Sequence, residues 1–149
     1  MTQRLSSLPR GRLRSALLQC GLTPGTAEAV LLRRPFADDA ALCTAVDAAV
    51  IQLEDAELND ALAAEPAPSV QSGNADVREA TLLALQLYRD RFGYPYVSSI
   101  SAPTADELLM RVRIRLGNEP EPESRAAREH LRRLVRGRIQ PLLDAGPPA

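Results

Sequence analysis

The 149-residue chain has no lysine and no tryptophan, and its only histidine is His130. Without lysine no Schiff base can form, which excludes pyridoxal-phosphate chemistry of the usual kind. A phosphate-binding P-loop is excluded too, because its lysine reaches the phosphates. One histidine cannot build a multi-histidine metal centre. Cys20 and Cys43 are far apart, with no second ligand pair to complete a zinc motif. Both sit among leucine and alanine in helical patterns, as small buried hydrophobes of a reduced protein do. No apolar run approaches the ~18 residues of a membrane span, and Met1 to Arg10 holds no run suited to a secretory leader. A cytoplasmic protein with no membrane contact, metal or organic cofactor is expected. Its active site has to be built from Arg, Asp, Glu, Ser, Tyr and backbone groups, unless His130 or a cysteine takes part.

What is present is ordinary in bulk and specific in pattern. Hydrophobic residues make up 45% and charged residues 25%, which suits one globular core. Apolar residues recur at helical spacing in seven places. They are Leu13, Ala16, Leu17 and Cys20; Ala27, Val30 and Leu31; Leu42, Val46, Ala49, Val50 and Leu53; Leu58 and Leu62; Val77, Leu82, Leu85 and Tyr88; Leu108, Leu109, Val112 and Leu116; and Ala127, Leu131, Leu134, Val135, Ile139 and Leu142. Thr23 before Pro24, Asp38 or Asp39, Asn74 or Asp76, and Thr104 with Glu107 three residues on are helix-start signals. Residues 65–75 are rich in turn formers. Residues 94–100 form one β-like segment, and one strand cannot make a sheet, so this segment is expected to cross the core in extended form. The expected fold is all-α, a single bundle-like domain of about seven helices spanning residues 1–149, with 1–9 and 145–149 frayed.

All 18 basic residues are arginine, set against 19 acids for a net charge of −1. Nine of the arginines lie between Arg111 and Arg138. They alternate with Glu119, Glu121, Glu123 and Glu129, which favours a solvated helix face over a nucleic-acid surface. His130, on the last helix, reads as a surface or partly buried helix residue. Tyr94 and Tyr96 read as core or cavity wall, and Ser98 and Ser99 are expected to lack a nearby base, which argues against a nucleophile role.

Several segments, in order and spacing, resemble one family, the 2-oxo-4-hydroxy-4-carboxy-5-ureidoimidazoline (OHCU) decarboxylases of urate breakdown. They are Arg34 to Phe36, Ala63 to Pro66, Tyr88, Arg91 to Gly93, Tyr96 with Val97, Arg115 to Glu119, and Arg138 with Ile139. The resemblance covers roughly residues 15 to 140. It implies an all-α fold, often a dimer, with a small-molecule substrate and neither cofactor nor metal. It also implies a site: a His before Pro that handles the proton as CO₂ leaves, a Ser-x-x-Glu-Gln motif that holds the ring, a crossing segment whose backbone meets the substrate, and an Arg on the last helix that pairs with an anionic group.

The chain departs from that pattern at two places. Glu65 stands before Pro66 where the family has His, and residues 69–74 contain no Glu-Gln pair. Arg138 is kept, and so are Val97 and Ser98 of the crossing segment. An ionised Glu65 would repel a substrate carboxylate by ~4 kcal/mol at ~4 Å and an effective dielectric of ~20. A protonated Glu65 would instead be a general acid in a changed reaction. A solvent-facing Glu65 would mark a site that has lost its work.

The expected site is therefore Glu65 and Arg138 as acid/base and anion anchor, with Pro66, Tyr96, Val97 and Ser98 meeting the substrate. The expected function is a diverged, repurposed enzyme, lyase-like and cofactor-independent, acting on a small nitrogenous or carboxylated metabolite. The alternatives are a catalytically dead dimeric binding or scaffold protein, and a weak genuine OHCU decarboxylase forming (S)-allantoin.

Overall fold

A helix starts where a side-chain oxygen can take up its orphan N–H groups, and this chain supplies such oxygens at four starts. Thr23 accepts from the N–H of Thr26, Asp38 from Ala41, Asn74 from Asp76 and Val77, and Thr104 from Glu107. The computed structural model describes residues 4–102 and 104–145. Among them lie seven α-helices and no strand: α1 (Arg10–Gln19), α2 (Pro24–Leu31), α3 (Asp39–Ile51), α4 (Asp55–Ala63), α5 (Ala75–Phe92), α6 (Ala105–Leu116) and α7 (Pro120–Ala145). The all-α expectation holds, helix by helix.

The helices pack largely on their sequence neighbours: α1 on α2, α2 on α3, and α5 on α6. The long-range contact that closes the fold is α3 against α7. Along α7 the buried positions fall four apart, at Glu123, Ala127, Leu131, Val135 and Ile139, a single stripe down one face. Residues 94–100 carry no regular secondary structure, and Tyr94, Tyr96 and Val97 are buried in the common core. The segment thus crosses the interior as expected.

Three expectations need correction. Residues 4–9 are not frayed, because Leu5 and Leu8 are each only 1% exposed and the Arg34 guanidinium donates to the Leu8 carbonyl. The expected fraying at 1–3 and 146–149 lies outside the described residues. In α5 the buried stripe is Thr81, Ala84 and Tyr88, while Leu82 is 54% exposed. Tyr88 has a buried polar partner and Leu85 packs against the core, both as expected of the stripe, while Leu82, Leu83 and Leu87 turn outward. Finally, Glu123 is not part of a solvated face.

Much of the arginine run on α7 is knitted to acids and carbonyls of the fold. Arg128 donates to the Leu53 carbonyl and to Asp55, Arg136 to Asp47, and Arg132 and Arg133 to Glu129. No helix among the described residues is long and apolar enough to cross a membrane.

Thr104→Ala should destabilise the protein by ~1 kcal/mol through loss of the α6 cap, measured as a lower urea midpoint with unchanged slope. An unchanged midpoint would mean that packing on α5 alone fixes where α6 begins.

Candidate active site

The crossing segment has to stay in place without a strand partner, and a buried polar cluster holds it. Arg115 lies on the apolar stripe of α6, one turn beyond Val112. Its Nη1 donates to the Val97 carbonyl at 2.6 Å and its Nε to Glu123 Oε1 at 2.6 Å. The Tyr88 hydroxyl donates to Glu123 Oε1 and accepts from Arg115 Nη2 at 3.1 Å. Asn118 donates to Glu123 Oε2 at 2.9 Å. Glu123 is 0% exposed, so it is tolerated only because each of its oxygens is hydrogen-bonded and its charge is matched. The Arg115 guanidinium also lies over the Tyr96 ring, 4.5 Å from its centroid. Burial above all pushes the Tyr88 phenol far above its ordinary range, with Arg115 opposing, so it stays a donor.

On this support rests a cavity of about 300 Å³, at the small end of ligand-site volumes. All six expected site residues line it: Glu65, Pro66, Tyr96, Val97, Ser98 and Arg138. They come from the loop after α4, the crossing segment and α7. Pro68, Ser69, Ile100 and Leu134, from the same three segments, also line it, and Ala102 and Leu108 add a side that was not anticipated.

The two charged members meet each other. Arg138 Nη2 donates to Glu65 Oε2 at 2.9 Å, with the Glu65 side chain 6% exposed and that of Arg138 34%. Arg138 Nη1 also donates to the Cys20 carbonyl at 3.2 Å. Gly21 makes this reach possible: its backbone is left-handed (φ +102°), and a Cβ there would stand 2.5 Å from Arg138 Nη1. The other carboxylate oxygen, Glu65 Oε1, is buried with no hydrogen-bond partner among the described residues.

This arrangement changes two expectations. Glu65 is not a solvent-facing helix end. Nor does it act as a bare negative charge, because Arg138 sets an equal positive charge beside it and offsets the expected repulsion. Arg138, expected as an anion anchor, has its guanidinium already engaged by Glu65, so a bound anion would compete for it.

The expected lack of a base near Ser99 also fails. His130 Nδ1 lies 2.9 Å from Ser99 Oγ and accepts the Ser99 backbone N–H at 3.0 Å. Ser99 itself does not line the cavity. Cys20 and Cys43 are buried free thiols, and burial pushes both above their ordinary range. Among the described residues no three His, Cys, Asp or Glu side chains gather in a way that could hold a metal ion.

The residues that sequence reasoning missed are Glu123 and the inward role of Arg115. Both sit on the apolar stripes of their helices, Arg115 in line with Leu108 and Val112, and Glu123 four residues before Ala127. A charge at a core position was the available signal.

Comparisons with known proteins agree with one another. Residues 68–140 match the family model described as OHCU decarboxylase. A 2-oxo-4-hydroxy-4-carboxy-5-ureidoimidazoline decarboxylase from Amia calva is 36% identical over 57 residues, 38% of this chain and 33% of the relative. A uric acid degradation bifunctional protein from Bacillus sp. (strain TB-90) is 27% identical over 71 residues, 48% of this chain and 14% of the relative. The matched segments thus span a third or less of these curated relatives. The crystal structure of an (S)-allantoin synthase superposes with a TM-score of 0.76 at 23% identity, covering 94% of this chain and 53% of that one. An OHCU decarboxylase crystallised in the presence of (S)-allantoin gives 0.71 at 20%, covering 88% and 98%. At these identities the superpositions show a shared fold.

Arg115→Leu should cost ~3–5 kcal/mol by leaving Glu123 buried without its counter-charge. The double variant Arg115→Leu/Glu123→Leu should cost less than the single one. Urea unfolding of the three proteins decides: additive losses would mean that the ion pair is not what makes Arg115 necessary.

Proposed function

From the match of residues 68–140 to the OHCU decarboxylase family model, we propose that this chain is a diverged member of that family, a cofactor-independent enzyme of carboxy-lyase type. Its substrate is a small nitrogenous or carboxylated metabolite of urate breakdown, with Glu65 as acid/base and Arg138 as anion anchor. Pro66, Tyr96, Val97 and Ser98 meet the substrate. The observation that carries this reading is the Glu65–Arg138 pair in the wall of the cavity.

The chemistry follows from the pair. Losing CO₂ leaves an electron pair that must be stabilised and then protonated. Arg138 presents positive charge where a carboxylate has to bind. Glu65 has one oxygen on that guanidinium and the other without a partner among the described residues. The free oxygen can carry a proton to the substrate or accept a hydrogen bond from its N–H. Binding an anion asks Arg138 to share its donors between ligand and Glu65, which weakens anchoring relative to a site with His at that position. The absent Ser-x-x-Glu-Gln clamp further loosens positioning, and poor positioning alone can cost ~100-fold.

A binding or scaffold protein that works as a homodimer is the second reading. It is favoured by exposed apolar pairs one turn apart, Leu83 with Leu87 on α5 and Met110 with Ile114 on α6. Sedimentation equilibrium of the wild type against Leu83→Glu/Ile114→Glu tests the dimer.

The decisive experiment generates OHCU in situ with urate oxidase and hydroxyisourate hydrolase, and follows its decay and the chirality of the allantoin formed. The wild type is expected to run at least ~100-fold below a family member that has the His and the clamp. Glu65→His should improve the rate without reaching that member's, and Arg138→Ala should abolish it. A wild type equal to a full family member would make the chain a genuine OHCU decarboxylase with Glu65 as a working substitute. A full rate in Glu65→His would show the clamp to be dispensable. No (S)-excess over buffer in any variant would favour the scaffold reading.

A further inference from the structure

The wall of the cavity between Tyr96 and Ile100 is a loop with no helix or strand to hold it. It is pinned from below at Val97 by Arg115, and a second pin lies two residues on. The Ser99 backbone N–H points at His130 Nδ1, 3.0 Å away, and the Ser99 hydroxyl lies 2.9 Å from the same atom. A backbone N–H can only donate, so Nδ1 is the acceptor and the proton of the neutral ring sits on Nε2. The site at Ser98 is local: its hydroxyl accepts from the Ile100 N–H at 3.1 Å. Beside the packing of Tyr96 and Val97, two long-range hydrogen bonds among the described residues fasten the backbone of this wall, one to the Arg115 guanidinium and one to the His130 imidazole.

We propose that His130 is a positioning residue of this cavity, whose unprotonated Nδ1 fastens the Ser99 backbone and so holds the 96–100 wall, and that acidification releases the wall. Protonation puts a second N–H against the first and breaks the fastening. The surroundings offer an imidazolium little help. From α6, Arg115 faces it; along α7 lie Arg133, Glu123 and Glu129. Glu123 is already taken by Arg115, Tyr88 and Asn118, and Glu129 by Arg132 and Arg133. Burial first, then Arg115 and Arg133, hold the ring below the ordinary histidine value. The sign follows: the fastening is complete above the ordinary value and is lost as pH falls through the lowered one.

The geometry also argues against a Ser–His nucleophile here. The lone pair that would take the Ser99 hydroxyl proton is already engaged by the Ser99 N–H, and Ser99, though part of the wall segment, does not line the cavity.

This inference rests on the proposal that the cavity is the working site, but its test does not need a reaction. Amide hydrogen exchange of Ser99 and Ile100, corrected for intrinsic rates, is measured by NMR on the full ligand-free chain at about pH 7.5 and about pH 4.5. Wild-type protection at these amides should fall by about tenfold at the lower pH, the worth of roughly one hydrogen bond. His130→Asn, whose Oδ1 stands in for Nδ1 and does not titrate, should keep protection at both values. His130→Ala should lack it at both, and Ser99→Ala, which retains the backbone N–H, should keep the wild-type pattern. Ring ¹⁵N shifts should show the Nε2–H tautomer at neutral pH. Protection independent of pH in the wild type, equal protection in His130→Ala, or an Nδ1–H tautomer would each overturn the proposal. The OHCU assay on the wild type separates the two claims: if no (S)-allantoin forms in excess over buffer while exchange follows the expected pattern, the fastening stands and the functional reading falls.

Discussion

A guanidinium without water around it must find acceptors in the protein, and Arg115 finds them on three separate elements. It reaches back to Tyr88 on α5, across to Val97 in the crossing segment, and on to Glu123 at the start of α7. Burying those charges is costly, and the cost is offset only when all the partners arrive together. The cluster therefore sets the rotation of α5, the entry of α7 and the path of residues 94–100 at once. One side of the cavity, at Tyr96, Val97 and Ser98, follows that path.

The ion pair at the cavity wall and the one beneath it differ in kind. Arg115–Glu123 is enclosed and fully hydrogen-bonded, and it supports structure. Glu65–Arg138 lies at a cavity wall, has one carboxylate oxygen without a partner among the described residues, and leaves the arginine a third exposed. Glu65 and Arg138 thus form one coupled group, in which anything that draws on the guanidinium also changes the surroundings of the carboxylate.

How far the fold could be read in advance depended on what fixed each element. Helices that begin at Thr23, Asp38, Asn74 and Thr104 were legible, since a cap is a local event between residues two or three apart. The outward turn of Leu82 was not, because leucines occur on more than one face of α5 and Tyr88 finds its partner, Glu123, 35 positions away. The six residues around the cavity were legible through their resemblance to a family pattern, not through any periodicity of their own. The pairing of Glu65 with Arg138 was open, since sequence places them 73 positions apart and the repulsion argument treated each alone. The contact of His130 with Ser99 had no local signal. It arises where an irregular segment happens to pass a helix, and nothing in either stretch announces the other.

The enclosed cluster also restricts the routes by which this chain can change over generations. Replacing any one of Tyr88, Arg115 and Glu123 first yields a protein with a stranded charge or an orphaned hydroxyl, so a viable lineage has to exchange them nearly in concert. Glu65 has one charged partner, Arg138, at the cavity wall, so a replacement there disturbs one contact rather than a whole cluster. Such a molecule has more room for change beside its cavity than in the scaffold beneath it.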